Sequence, residues 1–157
     1  MGILPRGGFA VVRWRSRHGL RDGVSPTAAA KKHEALQTGV RGETYAYWYL
    51  RRLGYLFIAK NYSPSHSKGE IDLIGYDGDT LVFVEVRSRA TEEGKTALPE
   101  LSITREKHHV LVRTAHYFLR DRHIGDCPLR FDVVAIDNRP GLPPIVRLHK
   151  AVLSPEA

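Results

Sequence analysis

The sequence predicts an α/β fold in which a mixed central β-sheet is flanked by helices, and three observations carry that prediction. Two segments, 34 to 53 and 103 to 122, repeat apolar residues at the helical spacing of three and four. Five shorter runs rich in β-branched and aromatic residues read as strands, and the run 81 to 87 is apolar enough for a central one. The order is helix, three strands, helix, two strands, which a mixed sheet with helices packed against it accommodates most economically. At 157 residues the chain has room for one domain with its own core.

Residues 1 to 32 hold five glycines, two prolines and scattered arginines with no sustained period, and read as a flexible basic tail ahead of a domain at 33 to 157. The tail has seven basic residues against Asp22 and so carries +6 of the formal +7, leaving the domain nearly neutral. Nucleic-acid binding by the domain then needs a local basic face, because no uniform field is available. The first helix has the stripe Ala46, Tyr47, Leu50 and Leu53, and ends at Gly54. Stepping back along that stripe by three and four reaches Glu43, which places a carboxylate on the buried face. Trp48 reads as core or its border.

Residues 55 to 62 form a first strand, and 63 to 68 a polar loop in which His66 and Lys68 are sufficiently explained as turn residues. The two runs 69 to 74 and 81 to 87 flank Tyr76-Asp77-Gly78-Asp79, a strong hairpin signal. Alternation puts Glu70, Asp72 and Ile74 on one face of the first run, and Leu81, Phe83, Glu85 and Arg87 on one face of the second. A charged loop covers 90 to 100. The second helix presents Val110, Leu111, Ala115 and Phe118, and one turn earlier the same stripe meets Lys107. Residues 129 to 137 and 145 to 151 are the last strands, the final one at an edge because of Pro143 and Pro144.

No apolar run approaches the roughly 18 residues of a membrane span, and the start lacks the pattern of a secretory signal. The expectation is a cytoplasmic protein without membrane partners. Cys127 agrees, since a single cysteine makes no internal disulfide and has no zinc-site neighbours. The four histidines 108, 109, 116 and 123 do not form a zinc pattern either.

The chemistry lies in acids placed where strands should be apolar. Buried carboxylates need a compensating positive charge, either a guanidinium such as Arg87 or Arg130 or a hard divalent ion with oxygen ligands. Converging acids without bound metal should show at least one raised pKa.

In order, Gly39-x-x-Gly42-Glu43, Gly69-Glu70-Ile71-Asp72-Leu73-Ile74, Val82-Phe83-Val84-Glu85-Val86-Arg87-Ser88-Arg89, Lys107 and Arg130-Phe131-Asp132-Val133-Val134 resemble the YraN family over about residues 35 to 150. The resemblance implies a restriction-endonuclease-like fold and a small nuclease related to Holliday-junction resolvases, acting on nucleic acid, with DNA the expected substrate. It implies Asp72 and Glu85 as the two acids of the PD-(D/E)-x-K signature and Glu43 as a helix-borne third, together holding Mg²⁺ or Mn²⁺. Glu70 is a weaker candidate. Arg87 stands where the signature has lysine, and arginine cannot take a proton from water. Lys107 is then the candidate for the missing ammonium. Resolvase-like relatives also imply a homodimer. Two other readings remain open: a non-catalytic nucleic-acid-binding module with a degenerate nuclease site, and a structural set of salt bridges.

Overall fold

The computed structural model describes residues 28–90 and 103–153. Helix α1 spans Ala28–Arg52, followed by β1 Leu56–Tyr62, β2 Ile71–Asp77, β3 Thr80–Ala90, helix α2 Arg105–Asp121, β4 Leu129–Asn138 and β5 Ile145–Leu153. The expected order of elements is therefore observed. The helix starts six residues earlier than its apolar period suggests, because Ala28-Ala29-Ala30-Lys31-Lys32 are strong helix formers without an apolar stripe. Residues 28–32, read as the end of the tail, are thus helical. The rest of that tail and most of the loop at 90 to 100 lie outside the described residues.

The five strands form one sheet in the order β1-β2-β3-β4-β5. All neighbours are antiparallel except β3 and β4, whose parallel pairing requires the crossover through α2. Asp77 pairs with Thr80, so the β2–β3 hairpin closes on Gly78 and Asp79 alone, with Gly78 in the left-handed region at φ 61. β5 lies at an edge, as Pro143 and Pro144 suggest.

Alternation along β3 sends Leu81 and Phe83 to one face and Val82 and Val84 to the other. The first pair packs with Ile74, Phe131 and α2 residues Leu111, Ala115 and Phe118; the second packs with Leu73, Val134, Ile136 and α1 residues Ala46 and Leu50. The helices therefore cover opposite faces of the sheet. Two residues of the α1 pattern stay outside this core: Leu53 is 52% exposed and Trp48 55%. Leu53 follows the last helical residue and precedes Gly54 at φ 98, which turns the chain away. Trp48 projects from the open side of α1 and meets Tyr47 in a T-shaped contact, 5.2 Å between ring centres.

Two motif glycines act through close approach. A β-carbon on Gly69 would lie 1.8 Å from Thr114 Oγ1 on α2, and one on Gly42 would lie 2.5 Å from Ser88 Cβ on β3. These contacts seat each helix on the sheet beside the segments that bear Asp72 and Glu43. Gly39 differs, since nothing among the described residues comes within 4 Å of its added β-carbon. Gly69→Ala should accordingly cost about 3 kcal/mol or more by pushing α2 off the sheet, whereas Gly39→Ala should gain about 0.5–1 kcal/mol as an ordinary helix substitution. Urea unfolding of the two variants checks this; equal midpoints would remove the close approach as the reason for Gly69.

Candidate active site

β2 and β3 pair from Asp77↔Thr80 as far as Leu73↔Val84 and then part. Asp72 is the next residue of β2 beyond the last pair. Its Oδ2 accepts a hydrogen bond from the Val86 N–H at 2.6 Å, so a side-chain carboxylate takes the place that a strand carbonyl would fill. β3 continues alone against β4, with Glu85 opposite Val133 and Arg87 opposite Ala135. The acids thus sit where the sheet opens.

Burial raises the Asp72 carboxyl pKa to about 7. The Val86 N–H and Lys107 oppose the rise, and the charges of Glu85 and Glu43 add to it. The expected raised pKa is found, at Asp72. Glu85 projects towards α2, and its Oε1 lies 2.9 Å from the Lys107 ammonium. Thr104 caps α2 by accepting from the Lys107 N–H at 3.2 Å, fixing that residue in the first turn. Glu43 comes from α1 on the other face, where Asn61 of β1 donates to its Oε2 at 3.2 Å.

Glu43, Glu85 and Lys107 are therefore close enough to act on Asp72 electrostatically. They do not form a compact cage: among the described residues no three acidic, histidine or cysteine side chains are grouped so as to hold a metal ion. Each acid instead has its own donor, respectively Asn61, Val86 N–H and Lys107. The crevice that Glu85 lines is otherwise mainly apolar, with Ile71, Phe83, Leu111 and Phe131, and includes neither Asp72 nor Glu43.

Glu70 precedes β2 and is exposed, so strand alternation does not apply to it and it leaves the site. Arg87 is half-buried one step beyond Glu85 on the same face. Arg130, the alternative partner for the acids, lies elsewhere: it binds Asp132 at 2.8 Å and Asp77 at 2.7 Å on the α1 side of the sheet. His66 and Lys68 are exposed loop residues. Asn61 was not anticipated. Its signal was an asparagine inside a strand-like run, where that residue is depleted.

The donor set suits a hard cation. Mg²⁺ takes oxygen ligands from one or two carboxylates and keeps several waters, and Asp72 and Glu85 are the carboxylates that would supply them. No helix among the described residues is long and apolar enough to cross a membrane.

Residues 42–136 match the Uncharacterised protein family UPF0102. A UPF0102 protein of Koribacter versatilis is 37% identical over 134 residues, covering 85% of this chain and 90% of that protein. Those of Syntrophus aciditrophicus and Herminiimonas arsenicoxydans are 39% and 43% identical, over 67% and 71% of this chain and 80% and 87% of theirs. The matched region begins at Gly42 and contains every residue of the site just described. Breadth of coverage and the site motifs lead to one conclusion, in keeping with the YraN resemblance: the chain belongs to the uncharacterised protein family UPF0102.

Proposed function

We propose that this protein is a metal-dependent nuclease of restriction-endonuclease-like type, hydrolysing phosphodiester bonds in DNA and suited to branched substrates. The observation that carries the reading is the withdrawn Asp72 carboxyl at the opening of the sheet, with Glu85 and Glu43 acting on its charge and the Lys107 ammonium beside Glu85. Asp72 and Glu85 would hold Mg²⁺ or Mn²⁺. In a strand the N–H and C=O of one residue point the same way, so the Val86 carbonyl faces the same gap and is a third oxygen donor. A bound ion would supply a water of lowered pKa and neutralise charge on the phosphate.

The chain's own residues divide the remaining work. Glu43 orients a water from the α1 side. Lys107 and Arg87 hold the phosphate and offset the negative charge that develops on its oxygens. Arg87 does so as a planar, permanently charged fork. Lys107 has the ammonium that Arg87 lacks, and it reaches Glu85 from α2. A second reading, a nucleic-acid-binding module with a degenerate site, is favoured by Arg87 itself and by the absence of a three-acid cage among the described residues.

A panel of branched, single-stranded and duplex DNA and RNA, each with Mg²⁺ and with Mn²⁺, separates the readings. Under the nuclease reading, Lys107→Ala lowers cleavage more than binding, Arg87→Ala lowers both, and Arg87→Lys keeps or raises activity. Binding without cleavage by both wild type and Arg87→Lys would establish the second reading. Equal losses of binding and cleavage in Lys107→Ala would make that residue a phosphate anchor only.

A further inference from the structure

β1 is an edge strand and brings no acid to the site, yet it presents Asn61 there. Lys60 pairs with Leu73 and Tyr62 with Ile71, so Asn61 stands across from Asp72. Its backbone is left-handed, φ 47, a conformation that costs most residues roughly 1–2 kcal/mol and that asparagine tolerates better. The pairs that flank it, Lys60↔Leu73 and Tyr62↔Ile71, share one register, and the register shift in β1 lies earlier, between Phe57 and Ala59. The strain is therefore confined to the residue whose amide reaches across to α1 and donates to Glu43 Oε2. Such local strain marks positions held for function more often than for packing, and Asn61, being exposed, has little packing to serve.

We propose that Asn61 is a positioning residue: its amide fixes the Glu43 carboxylate beside Asp72, and this sets the affinity of the acid set for a divalent cation. The inference rests on the nuclease reading of the site. Glu43 is borne on a flexible three-bond side chain of a half-buried helical position and would otherwise sample several rotamers. The amide engages one carboxylate oxygen and leaves the other for an ion or its water. A neutral donor suits this task, because it orients the acid without cancelling its charge. Lys107, by contrast, pairs Glu85 with a full positive charge.

Asn61→Gly separates backbone from side chain, since glycine keeps the left-handed conformation and removes the amide. Mn²⁺ binding by isothermal titration calorimetry on the full chain, with urea unfolding in parallel, is the test. The expected result is an unfolding midpoint at or above wild type and an Mn²⁺ affinity weaker by about tenfold, the usual scale for a residue that orients a ligand. Asn61→Gly combined with Glu43→Gln should bind no more weakly than Glu43→Gln alone, because Asn61 acts through Glu43. Wild-type affinity in Asn61→Gly, or additive losses in the double variant, would overturn the positioning role while leaving the nuclease reading intact. Wild type that neither binds Mn²⁺ nor cleaves would overturn the nuclease reading, and the role of Asn61 with it.

Discussion

Asp72→Asn should make the protein more stable at neutral and alkaline pH and, under the nuclease reading, reduce metal-dependent cleavage to background. The Asp72 pKa is raised from 3.8 to about 7 in the folded protein, so between those values the native state holds a proton that the unfolded chain has released. Wild-type stability contributed by this group is complete below about pH 4, is lost as pH rises towards 7, and does not fall further above that. A shift of that size corresponds to at most about 4 kcal/mol. Asparagine can still accept the Val86 N–H through its amide oxygen but never ionises, so the variant lacks that loss. Urea unfolding from pH 4 to 8 should show the two proteins converging at the acid end, separating progressively from about pH 4 and reaching their full difference near pH 7, with the variant higher. Parallel curves would mean that Asp72 ionises in the fold as readily as in the unfolded chain. Added Mn²⁺ should narrow the gap by stabilising wild type alone, since a cation bound to the native state favours the ionised carboxylate.

The second large effect belongs to the opposite side of the sheet. Asp132 is buried and accepts from Arg130 Nε at 2.8 Å, Arg130 at its second nitrogen at 3.0 Å, the Tyr55 hydroxyl at 3.2 Å and the Ala151 N–H at 3.0 Å. One carboxylate thereby ties β1's entry, β4 and β5 together. Burial, and then the Asp132 charge, push the Tyr55 hydroxyl up to about 12, so it remains a donor. Hydrogen bonding to Asp132 raises the Arg130 pKa further above its already high value. Asp132→Ala leaves a half-buried guanidinium with Asp77 and the Tyr55 oxygen, and takes the acceptor from the Ala151 N–H and from the Tyr55 hydroxyl proton. It should cost about 3–5 kcal/mol, the range for breaking one side of a buried pair. The urea midpoint should fall accordingly, with Mn²⁺ affinity unchanged in the protein that remains folded. A loss below about 1 kcal/mol would show that water replaces the missing acceptor.

The two carboxylates illustrate what was legible in the sequence. Asp72 stood out because it interrupts an apolar run, and its placement against Glu85 followed from a two-residue hairpin whose register is short-range. Lys107 was legible from helical spacing alone, since one turn separates it from the core residue Leu111. Asp132 lay within an equally apolar run, Arg130 to Val134, yet its partners Tyr55 and Ala151 are distant in sequence and no local period points to them. The bulge that delivers the Ala151 N–H, with Ala151 at φ 54, also lengthens β5 beyond the expected end to Leu153. Glu70 was misplaced because alternation was extended one residue past the true start of β2. The earlier start of α1 was missed because a helix without an amphipathic face leaves only propensity to read.

The single parallel pairing between β3 and β4 has a consequence for the order in which the site comes together. Glu43, Asp72 and Glu85 belong to one continuous stretch whose connections, 53–55, 63–70 and 78–79, are short, so little loop entropy opposes their meeting. Lys107 arrives only with α2, across a longer excursion that must close before β4 can dock. By locality of contacts, the acids should gather before the ammonium arrives. The meander is self-repelling until α2 seats, and that repulsion becomes an attraction pulling the crossover helix down beside Glu85. The same charges that make the native site costly would thus help the slowest, least local step of assembly.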